Sequence, residues 1–372
     1  MEINRGTISI PSGGFLAFDG TNEGSITIDQ VSGQAFSEFW LGGTAGNGSP
    51  WHNLGSINCS GVLLKLLGQF TTDDIGNLSN PNGFTTIFGL DNTNRTFVID
   101  SRFGSTTGLG VSGGTVRIDP AIQITDGVLK DVVIEGNLGT GSSGSFPSAF
   151  TFVGEVPIHG TVMASLTLGD GSHPDLPVVI HSGELDLLPD GRIESDPSMT
   201  AGITFGQDVT LRGGSVEAIF GQALLNLGTI RAEQGTLAFD GTGVVTNRGV
   251  LEAMAGATLQ LDHLAPNEGI IRADAGGIIL INNGFTQTST GTVIVELAGT
   301  ATNQIGLVQV SGNATLAGTL EVVLVAGFAP QAGDTFEIMT YNSHAGTFAT
   351  IIGWDPPRSL VYNDLDLKLA AL

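Results

Sequence analysis

Between residues 226 and 281, apolar and polar residues alternate in short stretches, and these stretches repeat. The motif N-x-G-x-[IL]-x-A-x-x-G begins at Asn226, Asn247 and Asn267, so its spacings are 21 and 20 residues. Alternation with a period of two predicts short strands, and a fixed repeat of this size predicts that each unit stacks on the next. The sequence therefore predicts an all-β fold, a parallel β-solenoid of the right-handed β-helix type with about 20–22 residues per coil.

The repeated asparagines and glycines have structural explanations in such a fold. Asn226, Asn247 and Asn267 occupy one position in successive coils, where their amides are expected to hydrogen-bond along the stack as a ladder. The glycines are expected at corners whose backbone angles a side chain disfavours. The predicted corner glycines are Gly228, Gly235, Gly249, Gly256, Gly269 and Gly276.

The rest of the chain is less regular. The hexapeptide at residues 16–21 recurs at residues 237–242, which indicates that the solenoid begins near the N-terminus. Residues 36–102 are rich in Gly, Asn and Pro turn signals, which predict loop excursions from the solenoid. The spacing changes again after residue 305. We therefore predict a solenoid over residues 1–305 and a β-rich terminal unit over residues 306–372.

Charge and composition exclude several classes of partner. The 372 residues carry a formal net charge of −23 and include only three lysines, which argues against nucleic acid and against anionic membranes. A single cysteine excludes an internal disulfide framework. No apolar run is long enough to span a bilayer, and no leader sequence is recognisable at the N-terminus. Membrane insertion is therefore not expected.

The C-terminal part carries a resemblance to a known group. Residues 306–324 read GLVQVSGNATLAGTLEVVL, residues 327–340 read GFAPQAGDTFEIMT, and residues 346–348 read GTF. This succession resembles the C-terminal coils of autotransporter-like passengers and related bacterial surface β-helix proteins. The resemblance covers about residues 306–350 and implies a bacterial protein at the cell surface or outside the cell, in a structural or adhesive role.

An enzyme acting on polysaccharides is the first alternative, because β-helices also carry hydrolases and lyases. That chemistry needs carboxylates that converge on one groove, and the candidate acids are Asp73, Asp74, Asp91 and Asp100. The motifs around them lack the order that such enzymes show, and the few Lys and Arg residues are dispersed. We therefore predict no catalytic residues and no enzyme activity.

Cofactors and metals have little support in the sequence. The six histidines are scattered singly, so no zinc spacing emerges. Residues 91–94 and 169–175 contain oxygen ligands suited to calcium, but neither stretch completes a calcium loop, and plain turns explain both. No cofactor is expected, with calcium as the alternative.

Trp40 and Trp51 are the candidate contact residues, because both lie among turn signals in the predicted excursions. Exposed aromatic rings suit stacking on sugars or packing on a partner. Both chain ends read as strands, which favours head-to-tail assembly into fibres. The alternatives are a fragment of a longer surface protein, whose other parts cover the ends, and a capped monomer. The sequence thus predicts a structural or adhesive surface solenoid whose partner is a second copy, a neighbouring surface protein or a glycan. A phage or appendage fibre component is the remaining alternative.

Overall fold

Short strands that bury every second residue make up almost all of the fold. The computed structural model describes residues 2–10, 14–29, 37–42, 50–81, 83–103, 105–119, 124, 126–139, 149–169, 173–187, 192–214, 216–355 and 358–371. The strands stack in parallel from coil to coil, so the chain is an all-β protein and a parallel β-solenoid. The predicted fold class is confirmed. The chain divides into two compact units, Met1–Leu166 and Thr167–Leu372.

The described residues of the first unit form twenty short strands. They are β1 Glu2–Asn4, β2 Thr7–Ile10, β3 Phe15–Phe18, β4 Gly20–Asn22, β5 Ser25–Asp29, β6 Glu38–Leu41, β7 His52–Asn53, β8 Ser56–Ser60, β9 Leu63–Leu66, β10 Asn77–Ser79, β11 Phe84–Asp91, β12 Thr96–Ile99, β13 Ser105–Ser112, β14 Thr115–Ile118, β15 Asp126–Lys130, β16 Val133–Glu135, β17 Leu138–Gly139, β18 Ala149–Val153, β19 Ile158–His159 and β20 Thr161–Met163. One short helix, α1 (Thr72–Ile75), and a 3-10 turn (Ser101–Phe103) interrupt them.

The strands of the first unit form parallel stacks. The longest stack runs β3, β6, β9, β11, β13, β15 and β18; the others are β1-β4-β7, β2-β5-β8-β10, β12-β14-β16-β19 and β17-β20. Several of these strands, β6 and β8 to β12 among them, come from residues 36–102, where excursions were predicted. These strands are part of the parallel stacks and not of excursions. The turn signals inside this region mark corners between coils. Residues 43–49, which carry part of that prediction, lie outside the described residues.

The second unit begins within β21 and contains the regular repeats. Its strands are β21 Ser165–Leu168, β22 Val178–Leu187, β23 Arg192–Ser195, β24 Ile203–Gly213, β25 Val216–Ile219, β26 Leu224–Asn226, β27 Thr229–Ala232, β28 Gly235–Asp240, β29 Val245–Asn247, β30 Val250–Ala253, β31 Ala257–Leu261, β32 Ile270–Ala273, β33 Ile278–Ile281, β34 Phe285–Thr286, β35 Thr292–Leu297, β36 Leu307–Val310, β37 Asn313–Leu316, β38 Thr319–Leu324, β39 Thr335–Thr340, β40 Ser343–Gly346, β41 Thr350–Ile352, β42 Ser359–Tyr362 and β43 Asp366–Ala370. A 3-10 turn covers Thr302–Gln304.

Two long parallel stacks dominate the second unit. One runs β22, β24, β27, β30, β32, β35, β38 and β41, and the other runs β23, β25, β28, β31, β33, β36 and β39. Parallel stacking continues past residue 306, where a new terminal unit was predicted. Among the described strands, the pattern changes at β43, which pairs antiparallel with both β39 and β42.

The core consists of columns of apolar side chains from equivalent positions. Leu251 pairs in register with Ile230 on one side and with Ile271 on the other, and all three are fully buried. Thr229, one residue before Ile230, is only half-buried. The motif thus sets the register, because side chains two apart on a strand share a face and those one apart do not.

Candidate functional site

The repeated asparagines of the second unit form one hydrogen-bonded column. The Asn226 Nδ2 donates to Asn247 Oδ1 at 2.9 Å, and the Asn247 Nδ2 donates to Asn267 Oδ1 at 2.8 Å. The Asn267 Nδ2 then donates to Gln287 Oε1 at 2.9 Å, so a glutamine continues the column. All four side chains are buried. The column is an element of the scaffold and presents nothing to a ligand.

The corner glycines are required for two different reasons. Gly235, Gly256 and Gly276 have positive φ angles, as the sequence led us to expect. In contrast, Gly249 has no positive φ, but a Cβ there would lie 2.1 Å from the carbonyl oxygen of Gly228. Gly228 and Gly269 are likewise hemmed in by carbonyl oxygens of neighbouring coils. At these positions, close backbone approach selects glycine.

A second asparagine column, in the first unit, was missed in the sequence. The Asn4 Nδ2 donates to Asn22 Oδ1, and the Asn22 Nδ2 donates to Asn53 Oδ1, both at 2.7 Å. The available signal was the pattern N-x-G-[ST]-I, which begins at residues 4, 22, 53 and 226. Its spacings of 18 and 31 residues in the first unit hide the repeat, because a longer coil separates the second and third copies.

The two candidate tryptophans have structural roles. Trp51 is 1% exposed, stacks on Phe70 with ring centroids 4.9 Å apart, and donates to the carbonyl of Leu67. The prediction that it is an exposed contact residue is wrong, since the ring fills the core at a corner. Trp40 is half-buried on the outward side of β6. Lys65 Nζ lies 4.1 Å from its ring centroid, so that ring face is already occupied.

Exposed apolar side chains do occur, at positions that the sequence did not single out. The outward sides of β3, β11 and β15 in the first unit carry four large apolar side chains that are 40% to 62% exposed. These are Phe15, Phe84, Phe88 and Val128. Phe15 and Phe84 occupy the same position in the stack, linked by the register of β3, β6, β9 and β11. We call these four residues the outer apolar face.

One outward surface of the second unit is charged. On the outward sides of β27, β30 and β32, Arg231 Nε lies 2.6 Å from Glu252 Oε2, and Arg272 Nε lies 3.3 Å from Glu252 Oε1. Arg272 also pairs with Asp274 and Glu296. The hydrogen bond to Asp274 and the surrounding carboxylates raise the pKa of Arg272 above its ordinary value. This network covers the sheet with paired charge.

Two of the candidate catalytic aspartates are engaged by basic partners. Asp74 accepts from the backbone N–H and the hydroxyl of Thr71 and contacts the His52 imidazole. Asp73 pairs with Arg95 at 3.2 Å. Both lie in α1, next to the coil corner that follows β11. Their contacts are those of a capped helical turn, which a plain structural role explains.

The other two aspartates have lowered pKa values. Hydrogen bonds from the Thr93 side chain and N–H lower the pKa of Asp91. Burial acts to raise the pKa of Asp100, but hydrogen bonds from Arg102 outweigh it, and that pKa is also lowered. A general acid for glycoside cleavage needs a raised pKa, so neither carboxyl suits that role. The absence of enzyme activity stays a prediction.

Metal ligands do not converge in the part of the chain that the structure describes. Within it, no group of three or more His, Cys, Asp or Glu side chains is placed to hold a metal ion. Residues 91–94 form a turn closed by the Asp91 carboxylate, and residues 170–172 of the second predicted calcium stretch lie outside the described residues.

A polar depression lies at one corner of the first unit. It has a volume of about 520 Å³ and is formed by the turns that follow β11, β13 and β15. Its lining residues are Thr93, Asn94, Ser112, Gly113, Gly114, Thr115, Lys130, Asp131 and Val133. We call it the corner depression. Sequence reasoning missed it, because its walls come from three separate coils.

Comparisons with known proteins add no family. No family model matches the chain, and no curated protein matches it. Across the described ranges, no helix has the length and apolarity needed to cross a membrane.

Proposed function

We propose that the chain is a structural and adhesive β-solenoid of a bacterial cell surface or extracellular assembly, and that the outer apolar face of the first unit is its contact surface. The parallel solenoid supports the structural part of this proposal, because its stacked coils hold side chains at fixed spacings. The resemblance of residues 306–350 to surface β-helix proteins points to the same location.

The observation that carries the adhesive part is the outer apolar face itself. Phe88 and Phe15 are 62% and 55% exposed, whereas most of the other large apolar side chains of the same unit are buried. Soluble domains seldom expose several large apolar side chains on one face, and such faces often serve as contact surfaces. The strands that carry these side chains, β3, β11 and β15, belong to one parallel stack, so the exposed side chains lie on one side of the unit.

The charge of the chain restricts the partner. A net charge of −23 repels acidic polymers and other acidic surfaces at low salt. A neutral or basic surface protein is not repelled by this charge. A second copy of the chain is repelled at low salt, and added salt screens that repulsion. Self-association through the outer apolar face is therefore expected to strengthen as salt rises.

The test is a paired set of variants. Phe84→Ser with Phe88→Ser removes two rings of the face without touching the core. Val244→Ser with Met254→Ser is the matched control, since both residues are about as exposed in the second unit. Adsorption to hydrocarbon-coated and protein-coated surfaces and sedimentation velocity at low and high salt are measured. We expect the first pair to reduce adhesion or self-association several-fold and the control pair to leave both unchanged.

Two results would contradict the proposal. One is a wild-type chain that neither adheres nor self-associates at any salt concentration. The other is an equal effect of the two variant pairs, which would show that general hydrophobicity and not this face governs contact.

A further inference from the structure

The corner depression has the composition of a site for a polyhydroxylated ligand. Thr93, Ser112 and Thr115 contribute hydroxyl groups, Asn94 contributes an amide, and Lys130 contributes an ammonium group. Hydroxyl and amide groups both donate and accept hydrogen bonds, as sugar hydroxyls do. A saccharide can therefore satisfy its hydroxyls here in either direction.

Some of these groups are available for a ligand. Within the described part of the chain, the side chains of Asn94, Ser112 and Thr115 have no hydrogen-bond partner. The backbone around them is satisfied: the N–H of Gly113 donates to the carbonyl of Lys130, and the N–H of Thr115 donates to that of Arg95. The turns are thus held by their backbones while their side chains face the depression unpaired.

The backbone conformation of the turns around the depression is sterically restricted. Gly113 and Gly114 have φ angles of 71° and 68°, and a Cβ on Gly114 would lie 2.0 Å from the carbonyl oxygen of Asn92. Asn94 and Asp131 also have positive φ, a conformation rare outside glycine. These backbone angles and the close approach of the neighbouring coil select glycine at both positions, so the turns that carry the lining side chains have a defined conformation.

Charge and size indicate the ligand class. Lys130 and Asp131 carry opposite charges, so the lining has no net charge of its own. The chain as a whole repels anions. The volume of about 520 Å³ falls within the usual range of small-molecule sites, about 300–1,000 Å³. Val133 in the lining supplies apolar surface for the C–H face of a sugar ring.

We infer that the corner depression binds a short neutral oligosaccharide. This inference goes beyond the adhesive role, because a saccharide site at this corner functions whether or not the outer apolar face has a protein partner. The depression is open to solvent and offers few hydroxyl groups, so binding is expected to be weak, with a Kd of about 0.1–1 mM.

The experiment uses the full chain and defined probes. Cellotetraose, chitotetraose, maltotetraose and xylotetraose are compared with tetragalacturonate by saturation-transfer NMR and by calorimetry. Asn94→Gly removes the amide and keeps the backbone conformation, and Ser112→Leu removes a hydroxyl group and places a branched apolar side chain in the depression from an exposed position. Asn283→Gly is the matched control, since Asn283 also has a positive φ but lies in the second unit.

We expect at least one neutral tetrasaccharide to bind. Asn94→Gly should weaken its binding about fivefold to tenfold, the loss of one or two hydrogen bonds. Ser112→Leu should abolish binding, and Asn283→Gly should not change it. Three results would overturn the inference: no binding of any neutral probe, a preference for tetragalacturonate, or binding that survives Ser112→Leu. None of these three results depends on adhesion, so the saccharide-binding experiment can still be interpreted if the adhesion test fails.

Discussion

Removing one amide from the middle of the second-unit asparagine column tests the physical basis of the fold. In Asn247→Ala, three hydrogen bonds are lost: the one accepted from Asn226 at 2.9 Å, and those donated to Asn267 Oδ1 at 2.8 Å and to the carbonyl of Ile270 at 3.1 Å. The buried Asn267 Oδ1 is left unpaired, and the part-buried carbonyl of Ile270 loses one donor. At about 1 kcal/mol for each bond, with a further penalty for unpaired buried groups, the loss is about 3–5 kcal/mol.

The control for Asn247→Ala is Asn313→Ala. Asn313 is exposed, and its Oδ1 accepts a hydrogen bond from the Ser343 hydroxyl at 2.8 Å, so the expected cost is at most about 0.5 kcal/mol. Urea unfolding followed by circular dichroism gives the overall loss, and amide hydrogen exchange in β29 and β30 locates it. Equal losses for the two variants would refute the expectation that interrupting the buried column is costly.

Three further predictions follow from the same structure. Leu251→Asp should lower the free energy of unfolding by about 4 kcal/mol or more because it buries a charge, whereas Thr229→Asp should lower it by about 0.5 kcal/mol or less. Equal losses in melting temperature for the two variants would contradict the assigned register. Arg272→Met should cost about 2 kcal/mol by stranding its carboxylate partners, a loss that urea unfolding measures and that 1 M salt should reduce. The lowered pKa of Asp91 adds stability that is present above about pH 4 and is lost as pH falls through the folded pKa; in Thr93→Ala, the wild-type drop in melting temperature between about pH 4 and pH 2 should shrink.

The second unit was predictable because its repeats are regular. The register of Ile230, Leu251 and Ile271 and the amide column beside them follow from a period that hardly varies. Each coil there meets the same steric and hydrogen-bonding requirements, so the same residue types recur. A fixed period can therefore be converted directly into contacts between coils.

The first unit was less predictable because its coils differ in length. The Asn4, Asn22 and Asn53 column has the same chemistry as the regular one, but its spacing does not repeat. Trp51 was misassigned for a related reason: turn-rich sequence around an aromatic residue suggests exposure, yet the corner of a coil also buries a ring. Turn signals locate corners without saying which side of the corner a side chain occupies.

The corner depression and the outer apolar face escaped prediction for a different reason. Both depend on which coils become neighbours: Phe15 and Phe84 share a position only through two intervening strands. Asn94 and Lys130 line one depression although 36 residues separate them in the sequence. Such surfaces arise from the stacking of unlike coils and have no local signature.

The direction of the amide columns indicates what they contribute. In the second unit every link donates toward the C-terminal coil, so the column leaves Asn226 Oδ1 at one end and Gln287 Nε2 at the other, both buried without a partner among the described residues. Each unpaired buried group costs about 1–3 kcal/mol, while each hydrogen bond between two amides of the column contributes about 1 kcal/mol.

In the first unit both ends are satisfied. Asn4 Oδ1 accepts from the N–H of Gly6, and the Asn53 Nδ2 donates to the carbonyls of Ile75 and Asn77. The column of the second unit therefore yields little net stability, because its end penalties offset most of its links. Its effect is on register: a coil shifted by one residue would turn its amide out of the column and leave further buried groups unpaired. The amides thus select one stacking arrangement from the many that apolar columns alone would allow.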